Sequence, residues 1–166
     1  LFVALVLLAA SQLSAQNDIK RIGGLLAYGT NNLSIGFGAV GEFSVANKIT
    51  IVPNFTYFLG KSEDLGGVTF SYKAWALGAD ARYYFISEES LSIYGLAGLA
   101  YNNITIPRIN VFGVSIPSTS EGKIGIDFGA GAVFGAGNLS PFAELKYNTA
   151  FESLVISAGV MFPLGK

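Results

Sequence analysis

Residues 33–44 read LSIGFGAVGEFS, and the alternation in this stretch decides the fold. The odd-numbered positions from Leu33 to Phe43 hold apolar residues or glycine, whereas the even-numbered positions include Ser34, Glu42 and Ser44. Successive side chains of a β-strand point to opposite faces, so a period of two predicts a strand. One face is continuous, apolar and uncharged, and the other is small, polar or charged. In a soluble β-protein the charged face is outside, whereas here we interpret the apolar face as the outer one. The stretch therefore predicts a barrel wall whose outside meets lipid.

Eight segments with this alternation follow Asn17, and each ends in turn-forming residues. Most have the roughly 9–11 residues that a tilted strand needs to cross a bilayer. The fourth segment is longer, and we expect its first part, Val68–Lys73, to project above the membrane. The predicted fold class is all-β, an eight-stranded antiparallel up-and-down transmembrane β-barrel. The predicted strands are Ile19–Tyr28, Leu33–Val45, Ile49–Phe58, Val68–Phe85, Leu91–Tyr101, Lys123–Phe134, Leu139–Asn148 and Phe151–Phe162.

The composition favours the same class. The chain has 166 residues, of which 51% are hydrophobic and 13% are charged, about half the charge of a typical soluble domain. After residue 16, no apolar run approaches the roughly 20 residues of a membrane-spanning helix. Helices and closed barrels are the structures that satisfy every backbone group in lipid, so the apolar chain is expected to form a barrel.

The first segment differs from the rest. Its apolar run LFVALVLLAA is followed by SQLSA, with a small residue, Ala15, before Gln16. This pattern is typical of a secretory signal peptide that lacks its basic start. We therefore expect residues 1–15 to be a signal peptide truncated at its N-terminus, and residues 16–166 to form the barrel domain.

The links between the predicted strands alternate in length. The second, fourth and sixth links, Ala46–Lys48, Ser87–Ser90 and Gly135–Asn138, are tight turns. The third and fifth links, Gly60–Gly67 and Asn102–Gly122, are much longer. Transmembrane barrels have short periplasmic turns and longer outer loops. The link lengths thus predict a periplasmic N-terminus and two substantial outer loops.

The inward-facing positions hold the charged side chains. An eight-stranded barrel is just wide enough for side chains to fill its interior, and Glu42, Arg82 and Glu144 lie at similar heights in their strands. Two interpretations remain open, a paired network that plugs the barrel and a proton or ion path. Because buried charges must be paired, Lys146 and Lys123 are the predicted bases that help to match the inward acids. The predicted lumen charges are Glu42, Asp80, Arg82, Asp127, Glu144 and Lys146.

The chain contains no histidine and no cysteine. Histidine is the commonest general base and metal ligand, so its absence argues against an enzyme and against a metal site. A net charge of −1 offers no electrostatic footprint for nucleic acid. We expect no catalytic residues, no cofactor and no nucleic-acid partner.

The fifth link is the most distinctive surface. It predicts a hairpin with Phe112–Gly113 near its tip and prolines at edge positions. Its apolar residues either contact a ligand or partner outside the cell, or fold over the barrel mouth as a cap. These candidate contact residues are Ile106, Ile109, Val111, Phe112 and Ile116.

Three segments, Ser92–Tyr101, Pro141–Tyr147 and Ser157–Phe162, resemble strands of the small eight-stranded outer-membrane barrels, the OmpA/OmpX-like or porin-family group. The resemblance implies a monomer in the lipid of a Gram-negative outer membrane, inserted by the barrel-assembly machinery. The family's assembly signal ends on an aromatic residue, whereas here Pro163–Lys166 follow Phe162.

These observations predict a structural or surface-interaction role, through adhesion or ligand contact by the outer loops, with a plugged interior. One alternative is a narrow, porin-like channel for ions or small solutes. Another is a soluble, calycin-like ligand-binding barrel, which would bury Trp75, Leu77 and Ile126 and expose the charged set.

Overall fold

The computed structural model describes residues 20–31, 33–60, 62–65, 68–71, 73–106, 109–111, 114–135 and 138–164. The predicted signal peptide, residues 1–15, lies outside these residues. No helix in the described part of the chain is long and apolar enough to cross a membrane. Twelve strands occur there: β1 Lys20–Gly29, β2 Ile35–Ala46, β3 Ile49–Phe58, β4 Ser62–Leu65, β5 Val68–Ser71, β6 Lys73–Ser87, β7 Leu91–Ile106, β8 Ile109–Val111, β9 Val114–Ile116, β10 Thr119–Phe134, β11 Ser140–Asn148 and β12 Ser153–Pro163.

Eight of these strands close into one barrel, in the order β1-β2-β3-β6-β7-β10-β11-β12. Every neighbouring pair is antiparallel, and β1 pairs with β12 to close the wall, with Tyr28 opposite Ile156. The remaining strands form two small hairpins, β4 with β5 and β8 with β9. The predicted eight-stranded up-and-down barrel is therefore confirmed.

The two faces of the wall differ as the alternation predicts. Ile126 on β10 is 54% exposed and Leu77 on β6 is also exposed, whereas Glu42, Asp80 and Arg82 are buried inside. Exposed apolar side chains all around a barrel suit a lipid environment, with aromatic residues near both ends. The calycin-like alternative is wrong, because it requires these two sets of side chains to exchange places.

The barrel has two unlike ends. At the terminal end, the start of β1 meets the end of β12, with Arg21 opposite Pro163. At the loop end, β7 and β10 extend as a paired ribbon up to the pair Ile106–Thr119. The flanks of the fifth link, residues 102–106 and 119–122, are thus strand and not loop. The structure places the predicted hairpin beyond them as β8 and β9, with Phe112–Gly113 outside the described residues.

The predicted fourth strand is wrong in its first part. Residues 68–71 form β5, which pairs with β4 and not with the barrel wall. The wall strand β6 begins at Lys73. Because β4 and β5 are separated by two residues, local hairpin pairing replaces extension of the wall.

Two residues at the loop end lie elsewhere than predicted. Leu33 belongs to the apolar face in the sequence pattern, yet it precedes β2 and is buried inside the mouth. The sequence predicts that Phe151 begins the last strand, but it lies in the turn before β12, and it packs inward as its parity predicts. Both join an apolar cluster because a turn, unlike a strand, can fold its side chains over the opening. The buried members of that cluster are Ala27, Leu33, Phe58, Ala74 and Val155.

Candidate functional site

The barrel interior brings all six predicted lumen charges together. Four acids, Glu42, Asp80, Asp127 and Glu144, are buried in the wall strands. Three bases accompany them, Arg82, Lys146 and a residue that the sequence analysis missed, Arg21. They divide into two clusters along the barrel axis, one towards the terminal end and one towards the loop end.

The terminal-end cluster centres on Arg82 of β6. Its Nη2 lies 2.7 Å from Oε2 of Glu144 on β11, and its Nη1 lies 3.7 Å from Oε1 of Glu42 on β2. Arg21 approaches Glu42 from β1, with Nη2 3.0 Å from Oε2, and its Nη1 donates to Ser140 Oγ at 3.1 Å. The guanidinium of Arg82 also stacks on the ring of Tyr94, 4.4 Å from its centroid. One cation thus joins carboxylates from opposite sides of the lumen.

Three hydroxyl groups complete this cluster. Thr50 Oγ1 donates to Glu42 Oε1 at 2.9 Å, and Tyr84 Oη donates to the same oxygen. Tyr94 Oη donates to Glu144 Oε2 at 2.9 Å. Sequence reasoning missed these residues, although Tyr84 has the inward parity of Arg82. A buried tyrosine hydroxyl usually has a hydrogen-bond partner, so the inward parity of Tyr84, two residues from Arg82, could have predicted its contact with the charged cluster.

The loop-end cluster centres on Lys146 of β11. Its Nζ lies 3.2 Å from Asp80 Oδ2 and 3.0 Å from Asp127 Oδ2. Asn54 Nδ2 donates to Asp80 Oδ2 at 3.0 Å, and Asn148 Nδ2 donates to Asp127 Oδ1 at 2.6 Å. The ammonium is thereby held between two acids from β6 and β10, and each acid accepts a second bond from an amide.

Asn148 extends this cluster towards the mouth. Its Nδ2 also donates to Asn102 Oδ1 at 3.0 Å, and its Oδ1 accepts from the Phe151 backbone N–H at 2.8 Å. The second bond pins the turn before β12, which presents Phe151 to Phe58 in an edge-to-face contact with ring centroids 6.2 Å apart. The polar network therefore positions the apolar cover above it.

Two cavities flank this cover. An inner void of about 20 Å³ lies between the two charged clusters, bordered by Asp80, Arg82, Glu144 and Lys146. Such a volume suits about one water molecule. A second cavity of about 260 Å³ lies at the loop end. Phe151 borders both, so its ring separates them.

One predicted base is misplaced. Lys123 is a predicted lumen base, but its side chain is 63% exposed, and its Nζ lies 3.2 Å from Glu121 Oε1 on the ribbon. It has inward parity, yet it lies above the level at which the barrel encloses its contents. Arg21 takes its place as the third base.

The predicted outer-loop contact residues are described unequally. Ile106 lies at the end of β7 and is 38% exposed. Ile109 and Val111 lie in β8 and Ile116 lies in β9, but their side chains fall outside the described part of the structure, as does the whole of Phe112. Within the described residues, no group of His, Cys, Asp or Glu side chains is placed to hold a metal ion.

The comparisons with known proteins bear on the fold. No protein-family model matches the chain, and no curated protein matches it. Among solved structures, the Neisserial surface protein A is similar with a TM-score of 0.63 and 16% identity, over 87% of this chain and 96% of that one. The N-terminal β-barrel domain of Pseudomonas aeruginosa OprF has a TM-score of 0.61 and 18% identity, over 89% and 100%.

Ail, the attachment invasion locus protein of Yersinia pestis, is similar with a TM-score of 0.55 and 19% identity, over 86% of this chain and 93% of that one. These likenesses span nearly all of the barrel at low identity, so they show the fold and leave the activity open. With its closed wall, apolar outside and charged inside, the chain has the fold of the small eight-stranded outer-membrane β-barrels, the OmpA/OmpX-like group.

Proposed function

We propose that this chain is a bacterial outer-membrane protein with a sealed lumen and a structural or surface-contact role. In this proposal the loop end faces the outside of the cell and the terminal end faces the periplasm. The protein acts by what its outer ribbon and hairpins contact. It catalyses no reaction.

The single observation that supports a sealed lumen is the filling of the barrel by its own charged side chains. Arg82 and Lys146 each lie between two carboxylates, and about 20 Å³ remains between the clusters. Above them, Phe151 and Phe58 cover the loop end of the void. Separating a buried ion pair leaves charge uncompensated in a medium of low dielectric constant, so an open path has a high energetic cost.

Conductance across planar bilayers tests the sealed lumen. The wild-type protein, shown to be folded by its gel mobility, is expected to give no steady single-channel openings. Steady ion-selective openings that change when Arg82 is replaced by Met would overturn this part of the proposal.

A narrow channel is the second candidate, and one observation favours it. Within the described residues, the buried atoms Arg82 Nε and Nη1 and Asp80 Oδ1 have no hydrogen-bond partner. Arg82 therefore has free N–H donors, which would let its guanidinium move from one carboxylate to another and open a path. Openings in the wild type that persist when Lys123 is replaced, but not when Arg82 is replaced, would favour this candidate.

The surface role rests on the ribbon and the predicted contact residues Ile106, Ile109, Val111, Phe112 and Ile116. The ribbon is the part of β7 and β10 that extends beyond Tyr101. On its outer side, Asn103, Thr105 and Ser120 form hydrogen bonds with one another. This polar surface suits water above the membrane. Ail, whose name refers to attachment and invasion, is one neighbour with such a role in its name.

Deletion of Val111–Gly113 tests the surface role. The barrel is expected to stay folded, since the wall strands β7 and β10 end at Ile106 and begin at Thr119, outside the deleted range. Binding of the expressing cells to host cells or matrix is expected to fall. If the deleted protein retains every surface phenotype, the hairpin is a cap and not a contact site.

A further inference from the structure

The cavity at the loop end has the features of a small-molecule site. It has a volume of about 260 Å³, is partly open to solvent and lies inside the ring of strand ends, with Phe151 in its floor. Ligand pockets are concave and mostly apolar, with a few placed polar groups, and range upward from about 300 Å³. This cavity is slightly smaller, so it suits a molecule of fewer atoms than a typical drug.

The floor of the cavity and part of its β7 side are apolar. Leu33 and Ala74 are buried in the cluster beneath it, and Phe151 packs against that cluster. Ile104 and Ile106, on the inward face of β7, add an apolar strip to the wall that β7 and β10 form together. Burial of an apolar group here is favourable because it removes these side chains and the group from water together.

The neighbouring strand of the same wall carries one acid and one base, since Glu121 of β10 is the ladder partner of Ile104 and Lys123 is that of Asn102. Glu121 and Lys123 project from alternate positions of β10 into the cavity, and Glu121 Oε1 lies 3.2 Å from Lys123 Nζ. Both side chains are largely exposed, and such surface pairs contribute little to stability. Each can therefore turn from its partner to an opposite charge on a ligand. A ligand with adjacent positive and negative groups matches both at once.

The position of the cavity indicates where the ligand comes from. Its lining residues face the barrel axis, whereas the apolar face assigned to lipid is the outward one, exposed at Tyr101 and Ile124 of the same strands. A membrane lipid would have to leave the bilayer to enter, but a water-soluble molecule enters directly.

We infer that the loop-end cavity binds a small, water-soluble zwitterion with an apolar body, the chemistry of a free apolar amino acid. The ammonium of the ligand pairs with Glu121, its carboxylate pairs with Lys123, and its side chain rests on Phe151 and Ile104. This inference requires only the closed barrel and goes beyond the proposed surface role. A protein that fails to bind such a ligand can still act as an adhesin.

The test is a titration of the isotope-labelled protein in nanodiscs of phosphatidylglycerol, which offers no zwitterionic headgroup. L-Leucine and L-phenylalanine are expected to give saturable shifts at the Ile104 and Ile106 methyl groups. Glycine, which lacks the apolar body, and N-acetyl-leucine, which lacks the ammonium, are expected to bind about tenfold more weakly or worse, the loss that corresponds to one charge-assisted contact.

Matched variants locate the site. Thr119→Trp fills the cavity and is expected to abolish the shifts, whereas Ser120→Trp, one residue along on the outer side, leaves them unchanged. Lys123→Gln weakens L-leucine binding, while Lys73→Gln, on the outward side of β6, does not. Absence of saturable shifts in the wild type overturns the inference, as does equal binding of N-acetyl-leucine or equal loss in the two tryptophan variants.

Discussion

Arg82 Nη2 lies 2.7 Å from Glu144 Oε2, which joins β6 to β11 across the lumen although 62 residues separate the two in sequence. The same guanidinium also faces Glu42, so one cation neutralises acids from two other strands. Its removal therefore tests how far the barrel depends on internal pairing.

Replacing Arg82 by Met should destabilise the barrel by about 3–5 kcal/mol, the cost typical of leaving a buried charge without its partner. Urea titration of the refolded protein, followed by gel mobility and tryptophan fluorescence, measures the change. The control is Lys123→Met, which removes an exposed pair and should cost about 0–1 kcal/mol. Equal stability of the two variants would show that the internal pairs contribute little.

Gly98 faces the lumen beside the loop-end cluster. A Cβ at this position would overlap Asp80 Oδ1 and the Ala79 carbonyl oxygen. Gly98→Ala should therefore displace Asp80 from Lys146 and cost about 1–3 kcal/mol, as overpacking does. Gly24→Ala is the matched control, since its Cβ would have one near neighbour, Gly38 O at 3.7 Å, and we expect a change within about 0.5 kcal/mol. The midpoints of urea unfolding of the two variants measure this difference, and equal midpoints would contradict the prediction.

Ile126 lies on the outward face of β10, and an arginine there would meet lipid. A cation near the midplane of the lipid face costs about 2–4 kcal/mol, so Ile126→Arg should impair membrane assembly. Leu77→Arg on β6 should behave alike. Asn103→Arg, on the outward side of the ribbon above Tyr101, should assemble normally. Normal assembly of both lipid-face variants, measured by folded protein in outer-membrane fractions, would contradict the outward assignment.

Thr30 holds the closing seam of the barrel at the loop end. Its Oγ1 accepts from the Leu154 backbone N–H at 3.0 Å and lies 3.2 Å from Ser153 Oγ. Thr30→Val should cost about 1–3 kcal/mol, because the seam loses these bonds. Faster hydrogen exchange at the Leu154 amide would locate the loss. Thr105→Val, which removes a hydroxyl within the ribbon, should leave the exchange rate of the Leu154 amide unchanged. Equal exchange rates in both variants would contradict a role of Thr30 in the seam.

The faces of the wall strands could be predicted because strand alternation is local. Whether Ile126 faces out and Asp127 faces in depends on the strand period of two, which can be read from about ten consecutive residues. Glu42, Arg82 and Glu144 could be placed at similar heights by counting from the turns. Their hydrogen-bond partners could not, because the stagger of closed strands decides which inward residues meet.

Phe151 and Arg21 show where local pattern was insufficient. Phe151 has the inward parity of the last strand, but it lies in the turn before β12, where the bond from its N–H to Asn148 holds it in the mouth. Arg21 comes near the start of β1, and its role appears only when β2 brings Glu42 beside it. Both depend on contacts between segments distant in sequence or in the pairing order.

By itself, the sequence determined that the chain forms an eight-stranded barrel, which face of each strand is apolar and where the long links lie, because these follow from alternation and turn residues. Tertiary structure alone decided that two charged clusters fill the lumen, that Phe151 separates an inner void from an outer cavity, and that Lys123 faces the cavity and not the lumen. The physical reason is that lumen contacts join residues on different strands, and only closure of the wall sets their distances.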